Sequence, residues 1–201
     1  MSPPIVVELT HRPLERIEAE IAVAGFFSDE RPLRGGAGRA DWRLCGGLSR
    51  RIEAGDLAGR SGEALLIGCG RALRAPRLLL LGLGARSEFD ASRLRDEIRG
   101  AVLRCRGLRC ARVGLSPLGL ASDDLPRHAP ALVAGLRAAW SEDSESSGQE
   151  GPPELHLQLC VPSRELSAVA RALGDARRAA GDEGLEIVAP SEASREPVSG
   201  A

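Results

Sequence analysis

The sequence contains no lysine, no asparagine and no tyrosine; all 27 of its basic residues are arginine, and aromatic side chains make up 2% of the chain. A mechanism that needs a lysine ammonium or an asparagine side chain is therefore excluded. The arginines accompany an excess of Ala, Gly and Leu, the mark of GC-rich coding, so no arginine is read as functional on frequency alone. Charge of one sign is also missing. With 28 acidic residues against the 27 basic ones the formal net charge is −1, which provides no whole-molecule field for nucleic acid or an anionic membrane. Any anion site must be local. Long apolar runs are absent as well: the longest, Leu78 to Ala85, is far too short to span a bilayer, and the opening MSPPIVVELT lacks a basic stretch followed by a long apolar one. A soluble, cytoplasmic protein that does not engage a membrane is expected. The five cysteines (Cys45, Cys69, Cys105, Cys110, Cys160) are odd in number and include no C-x-x-C pair, so neither a disulfide framework nor a zinc knuckle is indicated. They read as buried reduced thiols, and no metal or other cofactor is expected.

What is present is a chain of 201 residues, 43% hydrophobic, enough for one globular domain. Strand-like apolar runs alternate with helix-length amphipathic segments, the pattern of an α/β layered domain. Strands are expected at Ile5 to Leu9, Glu20 to Phe27, Ala64 to Cys69, Arg77 to Leu81, Arg112 to Leu115, Leu155 to Val161 and Leu185 to Val188, with seven as the upper count. A first helix is expected from about Ala40 to Ala54, where Trp42, Cys45, Leu48 and Ile52 form one apolar stripe and Gly55 marks the stop. A second follows Asp90 as N-cap, with Leu94, Ile98, Val102 and Cys105 on one face, and ends at Gly107. A third covers Arg127 to Trp140. Ser163 is expected to cap a fourth whose Leu166, Val169, Leu173 and Ala176 face the core. Residues 141–153, SEDSESSGQEGPP, contain no apolar side chain and read as a mobile acidic loop; residues 191–201 read as a disordered tail.

Several motifs come close to known chemistry and miss. Gly82-Leu83-Gly84 after an apolar strand opens a dinucleotide fingerprint, but Ser87 stands at the third glycine position. Gly114-Leu-Ser116-Pro-Leu-Gly119 nearly spells a nucleophile elbow, with Leu118 where the second glycine belongs. Of three well-separated histidines, only His156 has suggestive neighbours: on a strand it shares a face with Gln158 and Cys160, read here as a partly exposed polar sheet face. Asp123 and Asp124 complement the dipole of the helix they precede. Arg71 to Arg77, RALRAPR, reads as a solvated turn between strands, and nucleic-acid binding is not expected.

From Ile17 to Phe89 the order of the pieces is distinctive. An apolar strand (Glu20-Ile-Ala-Val-Ala-Gly-Phe-Phe27) precedes a leucine-glycine turn (Leu33-Arg-Gly-Gly36), then a helix with an early aspartate (Asp41) and a late Gly55-Asp56. Gly59-Arg-Ser-Gly-Glu63 leads into a strand, and Arg77-Leu-Leu-Leu-Leu-Gly-Leu-Gly84 runs on to Glu88-Phe89. This arrangement resembles the N-terminal domain of the leucine aminopeptidase, or cytosol aminopeptidase, family. The resemblance implies a macro-domain-like fold, three layers α/β/α around a mixed central sheet of about six strands, as a single domain over residues 1–190. In that family a separate C-terminal domain hydrolyses N-terminal residues with two metals, using lysines and an Asn-containing metal-binding stretch. This chain has neither residue type and little length after Pro190.

The resemblance also implies ligand contacts. Macro domains bind ADP-ribose through an aspartate at the first core strand, a glycine-rich loop before a helix and a second glycine loop after a later strand. Glu20 stands near the aspartate position, Gly35, Gly36 and Gly38 resemble the first loop, Gly82 and Gly84 the second, and Arg34 or Arg39 can add charge-assisted bonds. Two readings of the first loop stand, a turn feeding a packed helix and an open phosphate cradle; Trp42 either borders that cleft or fills it. The expected function is a non-catalytic, stand-alone relative of the aminopeptidase N-terminal domain acting as an assembly or regulatory module. It self-associates or joins an aminopeptidase subunit, with contact surfaces near Trp42 or the Arg127 to Trp140 helix. The alternatives are a module for an ADP-ribose-type phosphorylated small molecule and a component of a split metalloaminopeptidase.

Overall fold

A computed structural model describes residues 5–145, 154–181 and 184–188. Its sheet forms from the apolar runs, and all seven expected strands are present, one more than the six-strand sheet implied by the resemblance: β1 Ile5–Thr10, β2 Ile21–Phe26, β3 Ala64–Gly68, β4 Arg77–Gly82, β5 Arg112–Leu115, β6 Leu155–Cys160 and β7 Leu185–Val188. The extra strand is β7, four residues long, which pairs in parallel with β1 at the sheet edge. The order across the sheet is β3-β4-β2-β5-β6-β1-β7. Every pairing is parallel except β3 with β4, where the Arg71 to Arg77 segment turns the chain back. In the interior, β2 is buried along its whole length, as a parallel strand covered on both faces must be.

Alternation along β2 divides the core into two layers. Ile21 and Val23 join a cluster with Leu94, Ile98 and Cys105 of α3 (Ala91–Gly107), Ala129, Leu132 and Leu136 of α4 (Leu125–Glu145), and Val169 and Leu173 of α5 (Leu166–Ala180). Ala22, Ala24 and Phe26 face the other way, onto Ala37 and Ala40 of α1 (Gly35–Arg43) and Leu48 of α2 (Gly47–Glu53). The result is the expected helix–sheet–helix sandwich. On the second face the helices lie over the β2 end, and near β1 and β6 that face is polar. Gln158 Nε2 donates to Glu8 Oε2 at 3.0 Å and His156 is exposed, as the reading of that strand anticipated.

Local details depart from expectation. The single helix over Ala40 to Ala54 is two helices, because Cys45 (φ 52°) and Gly46 (φ 77°) take left-handed conformations between them. Asp41 then serves both, its Oδ1 accepting the Leu48 and Ser49 amides at 2.9 and 3.1 Å and its Oδ2 the Ser49 hydroxyl at 2.6 Å. Trp42 does not join an apolar stripe; it is 77% exposed. Helix α4 continues through Glu145, five residues into the segment read as a loop, since no glycine or proline follows Gly135 until Gly148. Residues 146–153 and 191–201 lie outside the described residues. Ser163 opens a short 3-10 turn ahead of α5 and does not cap it, whereas Asp90 caps α3 as expected, accepting the Arg93 amide at 2.9 Å. Cys69, Cys105 and Cys110 are buried, but Cys45 is exposed and Cys160 half-buried.

No described helix is long and apolar enough to cross a membrane.

Candidate functional site

Parallel strands present their C-terminal ends, and the loops that leave them, along one rim of the sheet, the place where open α/β sheets bind ligands. There the loops after β1, β2, β4, β5 and β6 enclose a cleft of about 460 Å³. Its walls are basic: Arg12, Arg34, Arg39 and Arg86 line it, against a single carboxylate, Glu30. Guanidinium groups cannot lose their protons in a protein, so this charge is permanent.

The first turn of α1 forms one wall. Gly35, with φ +55°, and Gly36 start the helix directly after Arg34, whose side chain makes no capping bond, and the first turn holds no acidic residue. Helical bonding begins with the Gly38 amide donating to the Arg34 carbonyl at 2.9 Å, so the three preceding amides are the orphan donors of the turn. An anion at such an end meets donors and the positive pole of the helix together. Glycine is required at position 36 because a Cβ there would lie 2.5 Å from Ser116 Cβ.

Opposite stands the loop after β5. Leu118 (φ 42°) and Gly119 (φ 78°) turn it sharply, and the Ser116 amide ties it to the Val23 carbonyl at 3.0 Å. Arg39 pairs with Glu15 at 3.5 Å, and the other oxygen of Glu15 is buried without a hydrogen-bond partner among the described residues. Burial, with the nearby Glu15 charge, pushes the cleft-lining Cys160 thiol up to about 12. Among the described residues no group of three or more His, Cys, Asp or Glu is placed to hold a metal ion.

Of the residues singled out in the sequence, Arg34, Gly35 and Gly36 line the cleft together with Arg39. The other four lie outside its lining. Gly38 is packed on the backbone of Leu33, whose carbonyl oxygen would be 2.4 Å from an added Cβ. Glu20 precedes β2 at the opposite end of the strand, where its Oε2 accepts the Ala111 and Arg112 amides at 2.6 and 2.9 Å. The Arg112 amide above all, against the opposing effect of burial, holds its carboxyl below the ordinary value of 4.5. Gly82 and Gly84 serve the loop before β3: a Cβ on Gly82 would sit 2.3 Å from the Arg60 carbonyl oxygen, and the Gly84 amide donates to the Gly59 carbonyl at 2.8 Å. The glycine loop that faces Gly36 is instead Ser116 to Ala121. Its signal in the sequence is a Pro117-Leu118-Gly119 turn set directly after an apolar strand. Trp42 is absent from the lining, so the cleft is open.

Residues 23–146 match the model of the N-terminal domain of the cytosol aminopeptidase family. A protein of Syntrophotalea carbinolica named "Probable cytosol aminopeptidase" is 36% identical over 148 residues, 68% of this chain and 29% of that protein. The chain spans about a fifth to a third of the length of curated relatives that it matches. Among solved structures, a tomato leucine aminopeptidase mutant superposes with a TM-score of 0.69 at 16% identity, over 90% of this chain and 37% of the other. A Trypanosoma brucei macrodomain in complex with ADP-ribose superposes with a TM-score of 0.63 at 16% identity, over 84% and 69%. At that identity the structural likeness establishes the fold, which is macrodomain-like.

Proposed function

Because the chain belongs to the cytosol aminopeptidase family through its N-terminal domain, we propose that it acts as a non-catalytic binding module whose cleft takes a phosphorylated small molecule. The observation that carries this reading is the convergence of Arg12, Arg34, Arg39 and Arg86 on a cleft that includes the uncapped first turn of α1. A diphosphate suits such a site, since its oxygens meet convergent amides and fork-shaped guanidinium donors at once. The macrodomain of T. brucei, an ADP-ribose complex, makes ADP-ribose the first ligand to try. Titration calorimetry with ADP-ribose and with inorganic pyrophosphate tests the reading. Heat is expected with the parent protein and is lost in Gly36→Glu, which adds a carboxylate where a Cβ already crowds Ser116, and weakened in Arg34→Ala. No heat with the parent protein removes the proposal. Hydrolysis of leucine amides with added zinc or manganese is not expected, and chelator-sensitive release of leucine would overturn the non-catalytic part.

Assembly is the second reading, favoured by Trp42, which stands 77% exposed near the end of α1. An exposed indole is a costly thing to leave in water and a common interface anchor. Trp140, on the other candidate surface, is half-buried with the Arg106 guanidinium 4.3 Å over its ring, so the contact surface for a second copy or an aminopeptidase subunit centres on Trp42. Light scattering of the parent protein and of Trp42→Ala tests this; a strict monomer that captures no aminopeptidase subunit removes it.

A further inference from the structure

Within the basic cleft, Glu30 already holds the place of an anion. Its Oε1 lies 3.3 Å from Arg86 Nη1 and 3.6 Å from Arg34 Nε, so two guanidinium groups from different loops share one carboxylate oxygen. The carboxylate is the inner partner, with 17% of its side chain exposed against 72% for Arg34 and 54% for Arg86. We propose that Glu30 is a resident competitor for the anion position, and that a phosphoryl group enters the cleft by taking Arg34 and Arg86 from it. This rests on the reading of the cleft as a phosphoanion site.

The exchange needs no refolding. Arg86 is held independently of Glu30: its guanidinium lies 4.9 Å over the Phe27 ring, and its amide donates to Asp29 Oδ1 at 3.0 Å. The segment carrying Glu30 is pinned by the Ser28 amide on the Gly84 carbonyl at 2.9 Å. Arg31 Nη1 pins it further, donating to the Phe27 and Glu30 carbonyls at 3.0 and 2.7 Å. The Glu30 side chain alone has to move, and its charge stays near the incoming phosphate and repels it. A ligand must therefore bring more negative charge than one carboxylate to win both arginines, which selects diphosphates over single carboxylates.

The test is titration of inorganic pyrophosphate, at low salt, into the parent protein, Glu30→Gln and Glu88→Gln. Glutamine keeps the size and an acceptor oxygen and removes the charge; Glu88 is exposed, lies outside the cleft and controls for net charge. Glu30→Gln is expected to bind about tenfold more tightly, the effect of a unit charge a few ångströms away at a part-exposed site, with Glu88→Gln unchanged. Glu30→Ala, checked by circular dichroism, must move in the same direction should the glutamine variant fail to fold. Equal or weaker binding by the Glu30 variants, with the parent protein still binding, overturns the proposal and leaves the phosphoanion site standing. An equal gain in Glu88→Gln also overturns it. No binding by the parent protein or by the Glu30 variants overturns both.

Discussion

Glu63 is the most exacting place to test the electrostatics of this fold. Its Oε2 accepts the amides of Ala58, Gly59 and Arg60 at 3.0, 2.8 and 3.0 Å, so one carboxylate holds the loop that packs beside β4. Glu63→Ala leaves those three donors without their acceptor. At about 1 kcal/mol for each bond to a charged acceptor at a site water can partly reach, the loss is about 3 kcal/mol. For a chain of this length that lowers the thermal midpoint by about 6–12 °C. Glu63→Gln keeps one acceptor oxygen without the charge and should lose about half as much. Differential scanning calorimetry measures both, and acetate should restore part of the loss in Glu63→Ala by filling the vacated cradle. A midpoint within about 2 °C of the parent protein, well under the size expected from three such bonds, together with no effect of acetate, would refute the reasoning.

The pH dependence follows from the same contacts. Burial tends to raise the Glu63 carboxyl, but the three amides and Arg60 outweigh it, and the value lies below the ordinary 4.5; Glu20 is lowered too, chiefly by the Arg112 amide. A carboxyl lowered by folding contributes stability that is present above its unfolded value and lost as pH falls through its folded one. Acid titration from pH 5 downward should therefore destabilise the parent protein, and Glu63→Gln should fall less steeply over the same range.

Three further outcomes are expected. Asp41→Ala removes the cap of α2 and should cost about 1–2 kcal/mol, with Asp41→Asn milder, as read by thermal denaturation. At pH 8 a thiol reagent should modify Cys45 rapidly, because burial raises Cys69 to about 11 and both Cys105 and Cys160 to about 12; all five thiols should react in denaturant. Gly119→Ala, with φ +78° and a Cβ 2.6 Å from the Phe27 ring, should lose more stability than Gly62→Ala, whose φ of +83° is similar but whose Cβ meets nothing within 4 Å. Equal losses would show that the ring contact is immaterial.

The strands were legible because each stands out locally. The unbroken apolar run of β4 and the short Arg112 to Leu115 segment need only burial on both faces, which composition declares. The polar face of β6 was legible for the same reason, since His156, Gln158 and Cys160 alternate with buried leucines. Helix α3 was legible from its Asp90 cap and closing glycine. The division of the Ala40 to Ala54 segment was not, because periodicity counts side chains and cannot register two left-handed residues that redirect the axis. Asp41 was noticed for its position; that it caps the following helix depends on the turn at Cys45 and Gly46 bringing Ser49 back to it.

The cleft was legible only by half, and the reason is topological. Two glycine-bearing loops follow the strands that flank β2, one after β4 and one after β5, and sequence order alone gives either an equal claim to face the first turn of α1. What separates them is β3. Running antiparallel along the outer edge of β4, it brings Gly59 and Arg60 against Gly82, so the glycines of the loop after β4 are consumed in backbone contacts on that side and only Arg86 from farther along it reaches the cleft. No strand intervenes between β2 and β5 in this way, and the turn at Leu118 and Gly119 presses Ser116 onto Gly36 instead. The proposed phosphate site thus depends on a pairing between residues far apart in the chain. A substitution that enlarges Gly36 should disturb the loop after β5, whereas one that enlarges Gly82 should disturb the Glu63 cradle and leave the cleft arginines in place.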